Sequence, residues 1–313
     1  MNIRERRPAP TPRPTGQAES PTLPIRHLER HPTSTPLPTR RAGPPPLPVR
    51  RLVQFGALCL LLSWVPWSVL GALGADVDEG LAALVFGLAA AGPSLAALTM
   101  WLLMRRERRG GPRRSGTRLS WVWPVVAIVL GAAPPVVAAV VLGLDDLGAI
   151  PLHVASVAAG VGSPLGVLAY TLVSGPLAEE FGWRGFVQPR LRLRYGRVRT
   201  AVVMAIVWGL WHVPLFFLIG TGQQAKGLFS LQGALFFAGL FPLCYTILFV
   251  TEHLRGGVWA AVLVHAAWNA SDALLPAHGD VGAIVQTAVA LAVAGAVAIV
   301  WRARTGGPLQ PAG

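Results

Sequence analysis

Two adjacent glutamates and a nearby arginine stand within an otherwise apolar stretch of this sequence. Glu179, Glu180 and Arg184 occur in the run Pro-Leu-Ala-Glu-Glu-Phe-Gly-Trp-Arg-Gly. On a helix, Glu180 and Arg184 lie four residues apart with the acid first, which is the favourable order for an ion pair. Glu179 is offset from Glu180 by about 100° around the helix, so its carboxylate lies away from the ion pair and is available as a general base. A purely structural ion cluster of all three residues is the alternative.

Two histidines and an asparagine occupy later apolar stretches. His212 lies in Trp-Gly-Leu-Trp-His-Val-Pro, and His265 and Asn269 lie four residues apart, so both project from one face of a helix. A His–Asn face can donate two hydrogen bonds to a developing oxyanion. Polar clamps that only hold helices together are the alternative for these residues. Asp272, seven residues after His265, can orient His265 or Asn269, or cap the helix end.

The elements that must position these residues are membrane-spanning helices. Hydrophobic residues make up 53% of the 313-residue chain and charged residues only 13%, against about a quarter in soluble domains. The apolar residues cluster in runs of about twenty, the length that spans a bilayer core. The predicted fold is therefore all-α and polytopic, with about eight transmembrane helices around a buried site. We place the spans near 52–74, 81–104, 121–143, 163–190, 200–219, 229–251, 257–276 and 281–301.

A segment rich in proline and arginine precedes the first span. Residues 1–51 hold 13 of the 28 prolines and ten arginines, and such a segment cannot bury enough apolar surface to order itself. We expect a disordered cytosolic tail over 1–51 and a transmembrane domain over 52–302, with the motifs in 163–276. A short cytosolic tail over 303–313 follows. The mixed segment 145–162 is expected to be a short interfacial helix.

The formal net charge of +13 is concentrated in one set of loops. The tail, the loop 105–118 with seven arginines and the stretch 190–199 with five fall on one side, while the other side carries mainly acids. Because loops rich in Lys and Arg stay in the cytosol, both termini are predicted to be cytosolic in an integral protein of the cell membrane. This pattern accounts for the basic charge without a nucleic-acid partner.

The polar residues of three separate spans are predicted to lie at one depth. Counted inward from the cytosolic ends at about 1.5 Å per residue, four of them fall roughly 12–18 Å deep: Glu179, His212, His265 and Asn269. Scattered structural polar groups would not need to agree in depth. The agreement therefore indicates one shared site inside the bundle.

These motifs resemble those of the CPBP family, the group of CAAX prenyl protease type 2 and related bacterial membrane proteases. The family pattern is Glu-Glu-x-x-x-Arg, then Phe-x-x-x-His, then His-x-x-x-Asn. The chain matches it with Glu179, Glu180, Arg184, His212, His265 and Asn269. It departs at one position, where Trp208 stands in place of the usual Phe. The resemblance covers roughly residues 176–272.

The resemblance implies an intramembrane endopeptidase that hydrolyses a peptide bond of a membrane-associated substrate. Within such a site, Glu179 would activate a water that His212 helps to hold. A second pair, His265 and Asn269, would stabilise the oxyanion. The remaining pair, Glu180 and Arg184, would hold the site in shape.

The sequence leaves the metal and the broader function open. Glu179, His212 and His265 form a plausible zinc set, and the same residues can activate water without a metal, as in a glutamate-type peptidase. The main alternative function is a non-catalytic membrane protein that binds a peptide, lipid or partner in the same polar cavity. A transporter is disfavoured, because the charged residues within spans all follow residue 178 and no repeat is visible. Membrane lipids and a peptide or protein substrate are the expected partners, whereas the substrate's identity and the oligomeric state have no signal in the sequence.

Overall fold

The computed structural model describes residues 49–104, 122–144 and 147–303, and every regular element in these ranges is helical. The predicted all-α class is confirmed. The predicted tails lie outside the described residues, apart from the first and last few residues of the terminal helices. In chain order the α-helices are α1 (Val49–Ala72), α2 (Gly80–Ala90), α3 (Gly92–Met104), α4 (Val122–Leu142), α5 (Ala149–Val161), α6 (Pro164–Leu172), α7 (Ala178–Gly182), α8 (Gln188–Arg192), α9 (Arg197–His212), α10 (Gly222–Lys226), α11 (Leu231–Leu248), α12 (Gly257–Leu274) and α13 (Gly279–Ala303).

Most of the predicted spans are present as long apolar helices. Within the described ranges, five stretches are long and apolar enough to cross a membrane: Val49–Ala72, Val122–Leu142, Arg197–Phe217, Leu231–His253 and Gly279–Arg302. Two bent helix pairs raise the number to seven if each is one span. These pairs are Gly80–Ala90 with Gly92–Met104, bent by 46°, and Ala149–Gly160 with Pro164–Arg192, bent by 72°.

The remaining predicted span corresponds to α12, which runs over Gly257–Leu274 and is not among those seven. This helix carries His265, Asn269 and Asp272, and such side chains lower the hydropathy of a segment that the bundle nevertheless buries. About eight spans is thus consistent with the helices observed. The segment 145–162, expected to be a short helix, contains α5.

The outer surface of the helices is apolar. Large hydrophobic side chains are exposed along α1, α4, α9 and α13, for example Leu61, Val125, Ile206 and Ile299. In water, a continuous surface of this kind would be an aggregation hazard. In contact with lipid tails the apolar side chains are stable, and the helices satisfy their own backbone hydrogen bonds. The described part of the chain is therefore built as an integral membrane protein.

The helix that carries the two glutamates is irregular on both sides of them. Helix α7 is flanked by two wide π-helical turns, Val173–Leu177 and Trp183–Val187. Pro176 lies in the first, where it lacks the N–H donor that a regular α-helical turn requires. π-helical turns of this type occur often at functional sites, because they change the direction of a few side chains without breaking the helix.

Small residues bring backbones close together around the site. A Cβ at Gly131 of α4 would collide with the carbonyl of Val264, the residue before His265 on α12. A Cβ at Gly182 of α7 would likewise collide with the backbone of Pro93 on α3. Close approach through small residues is the usual packing of helices in membranes. These two contacts fix the helices that carry the glutamates and His265.

Candidate active site

Three helices bring the predicted residues to one buried place. Glu179 and Glu180 come from α7, His212 from the end of α9, and His265 from α12; all four side chains are buried. A cavity of about 320 Å³ is lined by Glu179, His212, His265 and Asn269. Residues predicted from three separate motifs thus share one cavity.

Glu180 is the centre of a buried polar group behind this cavity. Its Oε1 lies 2.9 Å from Nη1 of Arg184, which confirms the predicted ion pair. The same oxygen lies 2.8 Å from Nδ1 of His265. The Arg184 guanidinium also stacks over the Trp208 ring at 4.2 Å from its centroid, a favourable cation–π contact. Glu180 therefore links the helix of the glutamates to the helix of His265, a contact that the spacing of the motifs does not predict.

Glu179 points in a different direction from Glu180, as the helical offset predicts. Its Oε2 accepts a hydrogen bond from the indole N–H of Trp208 at 2.6 Å. Gly175, one turn earlier, leaves open space beside it: a Cβ placed there would lie 3.4 Å from Glu179 Oε1 and 3.1 Å from Asn269 Nδ2. The carboxylate is thus held by one oxygen, and the other oxygen faces the cavity near Asn269.

His212 is oriented by the backbone of its own helix. Its Nδ1 lies 2.7 Å from the carbonyl oxygen of Trp208. Since a carbonyl oxygen only accepts hydrogen bonds, Nδ1 carries the proton, and the Nε2 of a neutral ring is left as an acceptor. The ring packs edge-on against Trp211 and Phe236, which keeps it in place. His212 can therefore accept a hydrogen bond from a water in the cavity.

On α12, His265 and Asn269 both line the cavity, as their spacing predicts. Of the alternatives for Asp272, the structure does not support orientation of His265, because His265 Nδ1 bonds Glu180. Asp272 Oδ1 instead accepts a hydrogen bond from Gln286 of α13 at 3.0 Å. Asp272 lines the same cavity further from Glu179, towards the end of α12.

The described residues do not form a ready metal site. Among them, no group of three or more His, Cys, Asp and Glu side chains is arranged to hold an ion. The Nδ1 atoms of His212 and His265 are engaged with Trp208 and Glu180, so a metal would have to bind their Nε2 atoms, and such hydrogen bonds at the other ring nitrogen are usual for metal-bound histidines. The zinc set of Glu179, His212 and His265 stays a prediction, and we derive no chemical step through a metal.

Two residues of the site were missed or undervalued from the sequence. At Trp208 the sequence shows an aromatic residue in place of the usual Phe, whereas in the structure its indole N–H bonds Glu179 and its carbonyl accepts from His212. Gly175 carried no motif signal, although its lack of a side chain opens the space between Glu179 and Asn269. The one sequence signal available for Trp208 was its departure from the usual Phe at a position one helical turn before His212.

The fold and site describe a polytopic helical membrane protein with a buried constellation of glutamate, histidine and asparagine. Residues 161–271, which contain every motif residue, match the family of Rce1-like, type II CAAX prenyl endopeptidases. A CAAX prenyl protease 2 from Methanococcus maripaludis is 30% identical over 129 residues, or 41% of this chain. The chain spans about half (47%) of the length of that relative. The motif-bearing segment is similar to this family, and the predicted resemblance to CAAX prenyl proteases of the CPBP type is confirmed.

Proposed function

We propose that this protein is an intramembrane endopeptidase of the CPBP type that hydrolyses a peptide bond of a membrane-associated substrate. The observation that carries the proposal is the shared cavity, where Glu179 of α7 meets His212 of α9 and the His265–Asn269 face of α12. The similarity of residues 161–271 to a family of CAAX prenyl endopeptidases supports it. A buried base, an acceptor for water and two oxyanion donors are the parts that peptide hydrolysis needs.

In the proposed reaction, a water lies between Glu179 and the scissile carbonyl. Glu179 takes one proton from this water while the water oxygen bonds to the carbonyl carbon, and His212 Nε2 accepts the hydrogen bond of the second proton. The C–N bond of the tetrahedral intermediate then breaks, and the nitrogen leaves as an amine with the proton that Glu179 returns. A positioned base of this kind contributes about 10²–10⁴-fold in rate.

Charge that develops on the carbonyl oxygen is stabilised from α12. Asn269 Nδ2 donates one hydrogen bond, and it lies beside the Glu179 carboxylate across Gly175. His265 donates the second from Nε2 when its ring carries both protons, and Glu180 is the counter-ion on the other side of the ring. Preorganised donors of this type are worth about 10²–10³-fold each.

The Glu180–Arg184 pair has a positioning role. Neither side chain lines the cavity, and both are buried. Glu180 fixes the ring of His265 through Nδ1, and Arg184 fixes Trp208, which in turn holds Glu179. The pair therefore aligns the base on one side and the oxyanion donor on the other.

One experiment distinguishes the protease from the alternative, a non-catalytic protein that binds a peptide or lipid in the same cavity. Membranes that contain wild-type protein and Glu179→Gln are compared by quantitative proteomics for a precursor that persists only in the variant. The matched control is Glu79→Gln, at an exposed carboxylate before α2 that makes no side-chain capping bond. If wild type and both variants give the same membrane proteome and purified protein cleaves no peptide from it, the binding role stands and the protease is rejected.

A further inference from the structure

Polar side chains recur at every fourth position of the segment that contains the two glutamates. This segment runs through α7, the wide turn Trp183–Val187 and α8, and the side chains are those of Glu180, Arg184, Gln188 and Arg192. On a regular α-helix, four residues turn by about 400°, so such a row drifts by about 40° at each step. A π-helical turn closes one residue later and turns less per residue, which limits the drift. The row therefore stays near one side of the segment.

The last three members of this row meet α11 and the wide turn Phe249–His253 that ends it. We call their contacts the polar seam: Arg184 Nη2 to Cys244 Sγ at 3.4 Å, Gln188 Nε2 to Thr251 Oγ1 at 3.1 Å, and Arg192 Nε to the two carboxylate oxygens of Glu252 at 2.9 and 3.0 Å. The seam starts at the buried network of the candidate site and ends at a half-buried ion pair. It joins the segment of the glutamates to one side of α11.

The middle contact of the seam connects the two wide turns. Gln188 follows directly after Trp183–Val187 and is buried, and Thr251 lies within Phe249–His253. The Thr251 hydroxyl accepts from Gln188 and donates to the carbonyl of Leu248 at 3.0 Å. The hydroxyl is thus used as donor and as acceptor, and it fixes the Gln188 amide to the backbone of α11.

The turn Trp183–Val187 depends on such contacts for its shape. π-helical turns are rare within helices. Pro189 has no N–H group, so the backbone before it lacks one of the bonds that would order a regular turn. Side-chain bonds to neighbouring helices then decide how the turn is wound. The bond from Gln188 to Thr251 lies at the end of this turn, four residues after Arg184.

The position of Arg184 matters because its guanidinium supports Trp208. The guanidinium stacks over the indole ring at 4.2 Å from its centroid, and the indole N–H bonds Glu179 at 2.6 Å. Arg184 Nε is buried and has no hydrogen-bond partner among the described residues. The guanidinium is therefore held through its Nη atoms and the indole ring, and a rotation of the turn that carries it would displace the indole from Glu179.

We propose that Gln188 and Thr251 are positioning residues for the proposed reaction. Their hydrogen bond fixes the winding of the turn that carries Arg184, and Arg184 in turn sets Trp208 against Glu179. In the described structure neither of the two side chains lines the cavity, so their effect on the base passes through Arg184 and Trp208. The catalytic part of this inference rests on the proposed function, whereas the structural link from Thr251 to Trp208 does not.

Nuclear magnetic resonance tests this link without an assay of activity. In detergent-purified protein with isotope-labelled tryptophan, the indole N–H signal of Trp208 is the one that Trp208→Phe removes. Thr251→Val deletes the hydroxyl at nearly constant shape, and we expect the signal to move upfield because the bond to Glu179 weakens. Thr251→Ser keeps the hydroxyl and should restore the wild-type signal. The matched control is Thr171→Val, at a buried threonine whose hydroxyl donates to carbonyls of its own helix.

Kinetics separate positioning from substrate binding. The assay uses a synthetic peptide copied from the precursor that the Glu179→Gln proteomic comparison identifies. Thr251→Val and Gln188→Asn should each lower kcat by about tenfold and leave KM within about twofold of wild type. Gln188→Asn shortens the side chain by one methylene, so that its amide no longer reaches Thr251. The double variant should lose no more than either single variant, because both remove the same bond.

Three results overturn the proposal. One is an unchanged Trp208 signal in Thr251→Val, or in Gln188→Asn if Thr251→Val does not fold. Another is an equal displacement of the signal in Thr171→Val, which would make it a general response to a lost hydroxyl. The third is wild-type kcat in a variant whose Trp208 signal has moved. A moved signal in a protein that cleaves no peptide would reject the protease and keep the structural link, so the two inferences fail separately.

Discussion

Two carboxylates that are neighbours in sequence are given different partners by the fold. Glu179 accepts a hydrogen bond from an indole N–H and faces a cavity, whereas Glu180 holds Arg184 and His265 and is fully buried. One residue of offset on a helix is enough for this separation. The difference makes their roles testable one at a time.

The first prediction separates these two glutamates. Glu179→Gln should keep its fold, because the amide oxygen still accepts from Trp208, and should lose at least about 10²-fold of the rate. Glu180→Gln should lower the melting temperature as well, because loss of one partner of a buried pair costs about 3–5 kcal/mol in soluble proteins. The double variant with Arg184→Gln should recover part of the stability but not the activity, since His265 stays without its carboxylate. The measurements are the melting temperature in detergent and peptide cleavage.

The opposite pattern would reverse the assignment of roles. An active Glu179→Gln together with a stable but inactive Glu180→Gln would make Glu180 the base and Glu179 the positioning residue. The exposed Glu79→Gln serves as the control for both measurements.

A second prediction concerns the indole N–H of Trp208. Trp208→Phe restores the aromatic residue usual in the family and removes only the donor to Glu179 and some ring area. A hydrogen bond to a charged group contributes about 1.5–3 kcal/mol, so kcat should fall by about 10- to 100-fold while KM stays near its wild-type value. The control is Trp183→Phe, a buried indole whose N–H has no partner among the described residues. Equal losses of kcat in both variants would show that Trp208 contributes through packing and not through its hydrogen bond to Glu179.

Removal of metal is the third prediction. Because no group of three His, Cys, Asp or Glu side chains among the described residues is arranged to hold an ion and no step of the proposed reaction uses a metal, we expect purified protein to remain active in a strong chelator. Elemental analysis should find well below one equivalent of zinc. About one equivalent of zinc that His212→Ala abolishes, together with loss of activity in chelator, would establish the zinc set of Glu179, His212 and His265 instead.

At the scale of the helix, the absence of a side chain at Gly175 shapes the site. A Cβ there would lie 3.1 Å from Asn269 Nδ2, so this amide must shift by a few tenths of an ångström, and it would touch Glu179 Oε1 at 3.4 Å. The fourth prediction is that Gly175→Ala lowers kcat by at least about tenfold, since small displacements of positioned groups are costly for catalysis, with little loss of melting temperature. The control is Gly160→Ala in α5, where a Cβ meets nothing within 4 Å and a small gain in stability is expected. Full activity of Gly175→Ala would show that the space beside Gly175 is not where the reaction occurs.

Helical periodicity and depth were enough to predict which residues meet. The spacing of Glu180 and Arg184 predicted their ion pair, and agreement in depth predicted that α7, α9 and α12 share a layer. The two π-helical turns around α7 and the bend before Pro164 were not predictable, because they depend on packing against α3 and α12 as well as on Pro176. The Glu180–His265 contact was missed for the same reason, since it joins residues 85 positions apart and has no local signal.

For the whole molecule, the distribution of arginine predicts the orientation in the membrane. The fifth prediction is that Gly110→Cys and Gln224→Cys label from opposite sides, with position 110 in the cytosol, because seven arginines surround it in the loop 105–118. Position 110 lies outside the described residues, and Gln224 is exposed on α10. Labelling of both thiols by an impermeant reagent from one side would contradict the predicted orientation.

The contact between Glu180 and His265 has a consequence for the timing of biosynthesis. Glu179 and His212 emerge from the ribosome with α7 and α9, whereas His265 and Asn269 emerge with α12, which only α13 follows in the described part of the chain. Before α12 is synthesised, the Glu180 carboxylate lacks its bond to His265 and the cavity lacks the wall that α12 supplies. Under the proposed function, hydrolysis then becomes possible only after most of the bundle has been inserted.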